Sequence, residues 1–350
     1  MIKENNKEKD GGLMGKPDIA VKKWLSHKER FADFFNGSIF GGRQVILPNE
    51  LTVMNSESNF IVSNKNDKGK SKGVQRYRDV VMLWRNSVTL MIMACEIQDK
   101  VHYAMPVKTM LYDGLSYANQ MQELWNSLSE EERVHIKAEE FFSRFRKEDK
   151  LYPVITLVFY YGTSDWNGSV ELYDMLHWDN SFDNDLLKQF IPNYRINLVQ
   201  PAQIEDLTTY KTDLQMIFGM LKCRKDKKKM VAYINGNKTF FNAVDFETTQ
   251  VIAEILHSKQ IDNMLKKDRM EEYNMCKALE DLYNDGVAEG KAEGKAEGIA
   301  EGIVNLLSDY GKVSEDLKAK IYCVQDLEKL NSLLKLAARS GSIEEFESRM

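Results

Sequence analysis

A chain of 350 residues with 43% hydrophobic and 29% charged residues is long enough for one large domain with accessories, or for two domains, and can bury a core without disulfide staples. Its net charge of −5 argues at first against a nucleic-acid partner. The charge is uneven, however: residues 271–350 carry 10 Lys and Arg against 17 Asp and Glu, a net of −7, which leaves +2 for the rest. Cys95, Cys223, Cys276 and Cys323 form no CxxC pair, so they read as small apolar fillers in a reducing compartment. No HExxH, no Cys/His zinc spacing, no GxxxxGK[ST] and no GxSxG occurs. The N-terminus is polar, and the longest strongly apolar run, Val154–Tyr161, falls far short of the roughly 20 residues of a membrane helix, so the expected location is the cytoplasm, with no membrane partner.

Residues 1–15 are charged, contain Gly and lack periodicity, which predicts disorder. A helix follows Pro17-Asp18, with Trp24, Phe31 and Phe35 at helical spacing and Asn36-Gly37 as its stop. Gln44–Val53 contains a short strand, and the basic stretch 64–73 reads as a mobile loop. Val74–Arg85 and Val88–Gln98 are strand-like around an Asn86-Ser87 turn signal, an antiparallel hairpin. Met105-Pro106 opens a helix to about Ser127. Tyr152–Tyr161 suits a strand buried on both faces, and Tyr194–Val199 is a further strand. From Thr208 the pattern is helical, giving an α/β core with a helical appendage. In residues 286–302 Gly recurs every fourth position amid Ala, Glu and Lys, a marginal helix read as a semi-flexible spacer or as a stripe for close helix approach.

Within the hairpin, Asp79 begins one apolar run and Glu96 ends the other. A two-residue turn places Asp79 diagonal to Glu96, a four-residue loop directly opposite it; either converges the carboxylates on one face, shared with Gln98. Such a pair repels itself unless a cation or a proton intervenes, and an oxygen-rich pair suits Mg²⁺ or Mn²⁺, which could activate a water against a phosphodiester. Gln98 could orient that water. The plainer reading is two solvated strand ends.

Asp79, then Glu96-Ile97-Gln98 on the next strand, then a helix with basic and tyrosine residues, resembles the PD-(D/E)xK nuclease superfamily, and most nearly its Rpn branch, the recombination-promoting nucleases of YhgA-like transposase type. YPVITLVFYYG at 152–162, Trp166, SVELYDML at 169–176, YRINLV at 194–199 and the GKAEG repeats resemble the blocks of that family, covering roughly residues 20–300. The resemblance implies a restriction-endonuclease-like α/β core and a metal-dependent DNA endonuclease that promotes recombination. It implies Asp79 and Glu96 as metal ligands with the Ile97 carbonyl as a third, and Gln98 in place of the superfamily lysine. Arg78 stands where a proline often precedes the Asp. A neutral Gln positions a nucleophile only by hydrogen bonds, which fits weak or conditional activity.

The resemblance also draws attention to Lys108 and Tyr112, four apart on one helix face: Lys108 to contact phosphate and Tyr112 to stack or hydrogen-bond, or else a snorkelling Lys beside a core Tyr. Glu29 and Asp33 read as solvated surface. Lys70, Lys72, Arg76 and Arg78 lead into Asp79 and suit phosphate contacts; Lys222–Lys229 is a second basic run that reads more plainly as a solvated helix end. The expected organisation is a disordered 1–15, a nuclease-like core 16–207, a helical extension 208–285, a repeat linker 286–302 and a helical module 303–350 through which copies could associate. The alternative function is a transposase-derived DNA-binding or interaction protein with weak or absent catalysis.

Overall fold

The computed structural model describes residues 16–54, 57–62, 72–86, 90–179, 183–267 and 270–350. The N-terminal segment 1–15 and most of the basic stretch 64–73, with Lys70, lie outside the described residues. The chain divides into two compact units, Met1–Tyr273 and Asn274–Met350. The division falls upstream of the glycine repeat, not within it.

The first unit is α/β, as its alternating patterns predict. Its main sheet has five strands in the order β1 (Leu51–Val53), β4 (Val80–Arg85), β5 (Leu90–Gln98), β6 (Val154–Tyr160) and β7 (Asn197–Val199). A separate ribbon pairs β2 (Glu57–Val62) with β3 (Lys72–Tyr77). The segment expected as one strand, Val74–Arg85, is therefore two, broken at Arg78 and Asp79. β1, β4 and β5 are antiparallel; β5, β6 and β7 are parallel. Parallel neighbours need a crossover, and the connection from β5 to β6 carries α3 (Met105–Asn126), with Pro106 in its first turn, followed by the short helices α4 (Glu130–Val134) and α5 (Ala138–Ser143). A third short helix, α6 (Asn184–Lys188), precedes β7.

β5 is nearly all apolar because both of its faces are covered. Face alternation puts Ala94, Glu96 and Gln98 in register with Thr156, Val158 and Tyr160 of β6 on one side of the sheet. On the other side, Phe159 packs against Phe34 at 5.6 Å and Phe218 at 5.4 Å between ring centres. Those rings come from α2 (Lys28–Phe40) and α7 (Leu214–Cys223). α7 thus completes the core of the sheet, so not all of the helical region after Thr208 is an appendage. They continue as α8 (Lys227–Gly236), α9 (Lys238–Phe241), α10 (Phe246–Leu256) and α11 (Lys259–Lys267), with a two-residue ladder between β8 (Val244–Asp245) and β9 (Glu272–Tyr273).

The N-terminal helical pattern is two helices, α1 (Lys16–Leu25) and α2, and Asn36-Gly37 is not the stop. α2 runs on to Phe40, where Gly41 takes the left-handed conformation (φ 62°) that ends it. Asn36 is wholly buried. Its Nδ2 donates to the Ile46 carbonyl (2.9 Å), and its Oδ1 accepts from the backbone N–H of Val45 (3.1 Å) and Ile46 (2.9 Å). Gly37 admits the Tyr210 ring: a Cβ there would lie 2.3 Å from it. The Asn-Gly pair serves tertiary packing, not a turn. Asp33, expected in solvent, is also buried. It accepts from the backbone N–H of Lys211 (2.8 Å) and Thr212 (2.7 Å) and from the Thr212 hydroxyl (2.7 Å). Trp24 of α1 donates its indole N–H to Asp213 (3.2 Å) and to the Thr248 hydroxyl (3.0 Å), clasping α1 to α10.

The second unit is helical: α12 (Met275–Ser308), α13 (Glu315–Tyr322), α14 (Leu327–Ala337) and α15 (Ile343–Arg349). Ile303, Leu307, Leu317, Ile321, Leu330 and Phe346 form its core. The repeat expected as a spacer lies inside α12, so the interior glycines, each costing about 1 kcal/mol against Ala, do not break the helix. Nothing among the described residues lies within 4 Å of a Cβ built at Gly294 or Gly298, whereas one at Gly302 would meet Leu334 of α14 at 3.6 Å. Cys95 is the buried filler expected, whereas Cys323 is exposed. No described helix is long and apolar enough to cross a membrane.

Asn36→Ala strands a buried carbonyl and two N–H groups. It is expected to lower stability by about 2–4 kcal/mol, read from denaturant unfolding.

Candidate active site

The hairpin register is that of the longer loop. Val80 pairs with Cys95 and Arg85 with Leu90, leaving four residues between the strands, and one step outward the same register brings Asp79 level with Glu96. Asp79 sits just outside β4, where the chain bends, and turns its carboxylate inward so that Oδ2 accepts the Ile97 N–H at 2.8 Å. Asp79 and Glu96 are 7% and 1% exposed, so they are not solvated strand ends. Burial raises the Asp79 carboxyl above its usual range, opposed by the Ile97 N–H, by Lys108 and by Lys22 of α1.

Glu96 is the more strongly affected. Burial, opposed by Lys108 and reinforced by the charge of Asp79, pushes it to about 7. Its Oε2 meets Lys108 Nζ at 3.0 Å, while Oε1 is buried with no hydrogen-bond partner among the described residues. A carboxylate oxygen left unpaired inside a protein is costly and points to a group that completes it. Lys108 comes from the first turns of α3. Burial works against its charge, but the carboxylates of Glu96 and Asp79 outweigh that and leave it above its ordinary value. Its ammonium also lies 5.7 Å from the centre of the buried Tyr112 ring. Lys108 therefore faces Glu96, not open solvent. His102, just ahead of α3, is lowered by partial burial and by Lys108.

Gln98 is held differently from expectation. Its Nε2 donates to the Ile97 carbonyl at 2.7 Å, the oxygen expected as a third ligand. Arg78 corrects the sequence reading outright: it is 2% exposed and cannot reach a DNA backbone. Its guanidinium pairs with Asp113 of α3, donates to the Thr156 hydroxyl of β6 (3.1 Å) and lies over the Tyr112 ring, 5.6 Å from its centre. Asp113 also accepts from Thr156 (2.6 Å) and from the Tyr194 hydroxyl (2.5 Å), which burial and the hydrogen bond to Asp113 raise far above its usual range. This network locks the residue before Asp79 to α3 and β6. Sequence reading missed Asp113; its signal was an acid four residues after Thr109 on the buried face of α3. Lys72 and Arg76 fall on β3, and their side chains lie outside the described ones.

Asp79 and Glu96, with the Ile97 carbonyl, are the oxygen donors that could hold a divalent cation, and the unpartnered Glu96 Oε1 fits such an ion. Among the described residues no group of three or more His, Cys, Asp or Glu side chains is arranged to hold a metal ion, so an ion here would rest on two carboxylates, backbone and solvent.

Residues 133–251 match the model of the family described as "Putative transposase, YhgA-like". The match spans about a third of the chain, from the end of α4 through β6, β7 and α7 into α10, and lies downstream of Asp79, Glu96 and Lys108. No curated protein and no solved structure matches the chain.

A carboxyl raised above its unfolded value favours folding below the unfolded pKa and loses that contribution as pH rises through the folded one. Without divalent ions, stability should therefore fall between about pH 4.5 and 7 on account of Glu96. Glu96→Gln should flatten that segment of the profile of urea midpoint against pH.

Proposed function

We propose that the chain is a metal-dependent DNA endonuclease of transposase-like type, with a restriction-endonuclease-like PD-(D/E)xK core whose centre is Asp79, Glu96 and Gln98. The observation that carries this reading is the pair of buried carboxylates on neighbouring strands, one with an oxygen left unpartnered. Asp79 and Glu96 would hold a Mg²⁺ or Mn²⁺ ion, with the Ile97 carbonyl as third donor once Gln98 releases it. When bound, such an ion supplies charge neutralisation at the phosphodiester and lowers the pKa of a water.

The chain's own groups do the positioning. Lys108 restores, from α3, the ammonium that Gln98 removes from the strand. It stands 3.0 Å from Glu96 and can stabilise the negative charge that develops on an attacked phosphodiester. Tyr112 is placed to orient it through its ring face. Gln98, freed from Ile97, can orient the attacking water through its amide. The Arg78–Asp113 pair holds Asp79 at the bend between β3 and β4. DNA is the expected substrate, and recombination or mobilisation of DNA the expected context.

One observation favours a second reading. Lys108 and Gln98 already engage Glu96 Oε2 and the Ile97 carbonyl, which suits a transposase-derived protein that binds DNA without cutting it.

Nicking of supercoiled plasmid with Mg²⁺ or Mn²⁺ separates the two. Asp79→Ala and Glu96→Ala should each cut activity by at least about a hundredfold, and Lys108→Ala by about a hundredfold or more. Undiminished cleavage in both carboxylate variants overturns the site; DNA binding with no cation-dependent product in the wild type supports the second reading.

A further inference from the structure

The second basic run is not merely a solvated helix end. α7 ends at Cys223, and the residues around that end, Lys222, Arg224 and Lys225, line a cavity of about 70 Å³ together with the turn after β6 and the turn after β7. In open α/β sheets ligands lodge outside the carboxyl ends of parallel strands, and this cavity lies off the carboxyl ends of β6 and β7. Tyr160 is one of its walls, and Tyr160 is in register with Gln98 on β5. One wall of the cavity thus belongs to the strand that neighbours β5, the strand that bears Glu96 and Gln98.

The charge balance of the cavity is incomplete. Arg224 is partly buried, donates to the Gly162 carbonyl and forms no ion pair with a carboxylate among the described residues. Lys222 donates to the Ile204 carbonyl at 2.6 Å, and the one carboxylate at the rim, Asp165, meets Lys225 at 3.2 Å with both groups well exposed. Three cations therefore face one acid. A guanidinium withdrawn from water and given only a neutral acceptor is poised for an anion, and its planar fork matches a phosphate. Gly162 lets the turn lie close against the strand end: a Cβ there would lie 2.3 Å from the Tyr160 ring, which would have to shift.

Resting on the nuclease reading, we propose that this cavity is a phosphate subsite: Arg224, with Lys222 and Lys225, holds the backbone of a DNA strand that runs on to the Asp79–Glu96 centre. The subsite positions the strand without reading its sequence, since phosphate contacts carry no base information.

The test uses the full chain and a fluorescein-labelled DNA duplex in EDTA, so that binding is measured without cleavage. Fluorescence anisotropy across a salt series gives affinity and its salt dependence. Arg224→Gln should weaken binding about tenfold, the size of one charge-assisted hydrogen bond. Lys222→Gln with Lys225→Gln should lower the slope of log affinity against log salt by about one for each lysine. These two lysines are exposed, so that variant reports even if Arg224→Gln fails to fold. Lys329→Gln, on the other unit, should bind as the wild type does. Unchanged affinity and slope in the double lysine variant overturn the subsite, as does a wild type with no salt-sensitive DNA binding. Tighter binding of the matching RNA duplex, lost in the same variants, overturns DNA as the ligand. Plasmid nicking is scored separately. A wild type that binds but never nicks sinks the endonuclease and leaves the subsite standing; one that nicks while the variants bind normally sinks the subsite alone.

Discussion

The first unit is organised around two carboxylates that the sheet withdraws from water. Glu96 lies mid-sheet on β5, with β4 on one side and β6 on the other, and Asp79 is level with it at the bend before β4. Burying two like charges is unfavourable, and the surroundings answer that cost with Lys108 from α3, the Ile97 N–H and the charge of Lys22 from α1. Each answer comes from a different element. The position of α3 over one face of the sheet, of α1 beside β5 and of the bend at Asp79 are therefore parts of one electrostatic arrangement.

A second buried charge supports the first. Arg78 precedes Asp79 and cannot follow it toward the carboxylates, because Asp113 and Thr156 hold it against α3 and β6. Consecutive residues thus serve opposite ends: one anchors, the other presents. A buried ion pair of this kind is weak evidence for stability but strong as a constraint, since removing either partner leaves the other charge unpaired. Tyr112 stands near both cations, Arg78 and Lys108, so the face of α3 that carries Lys108, Tyr112 and Asp113 joins the anchor to the site.

Much of this was legible in the chain before any coordinates. Two apolar runs with a turn signal predicted the β4–β5 pairing, and the alternation of side chains required Asp79 and Glu96 to share a face under either loop length. The apolar run at 152–161 announced a strand covered on both sides, and Pro106 marked the start of α3. What stayed hidden depended on contacts across long stretches of sequence. Asn36-Gly37 looks like a helix stop, yet its role is set by Ile46 and Tyr210; Asp33 looks solvated, yet it caps the backbone at Lys211 and Thr212. Arg78 closes a basic run, and only its partner on α3 shows that it points inward. The glycine repeat reads as a spacer on propensity alone, whereas the packed end of α12 carries the helix through it.

The clasp between the ends of the first unit has a consequence in time. Trp24 reaches residues 189 and 224 positions away, and Asp33 accepts from backbone 178 and 179 positions on. At a ribosomal pace of roughly 5–20 residues per second, α1 and α2 emerge on the order of ten to forty seconds before their partners in α7 and α10. Phe159 follows Phe34 by 125 positions and Phe218 by 184, so the aromatic face of α2 lacks both covers through the first part of that interval and Phe218 through most of it. The amino-terminal helices are the first synthesised and among the last seated, so during synthesis the carboxylate centre waits on segments far downstream of both acids.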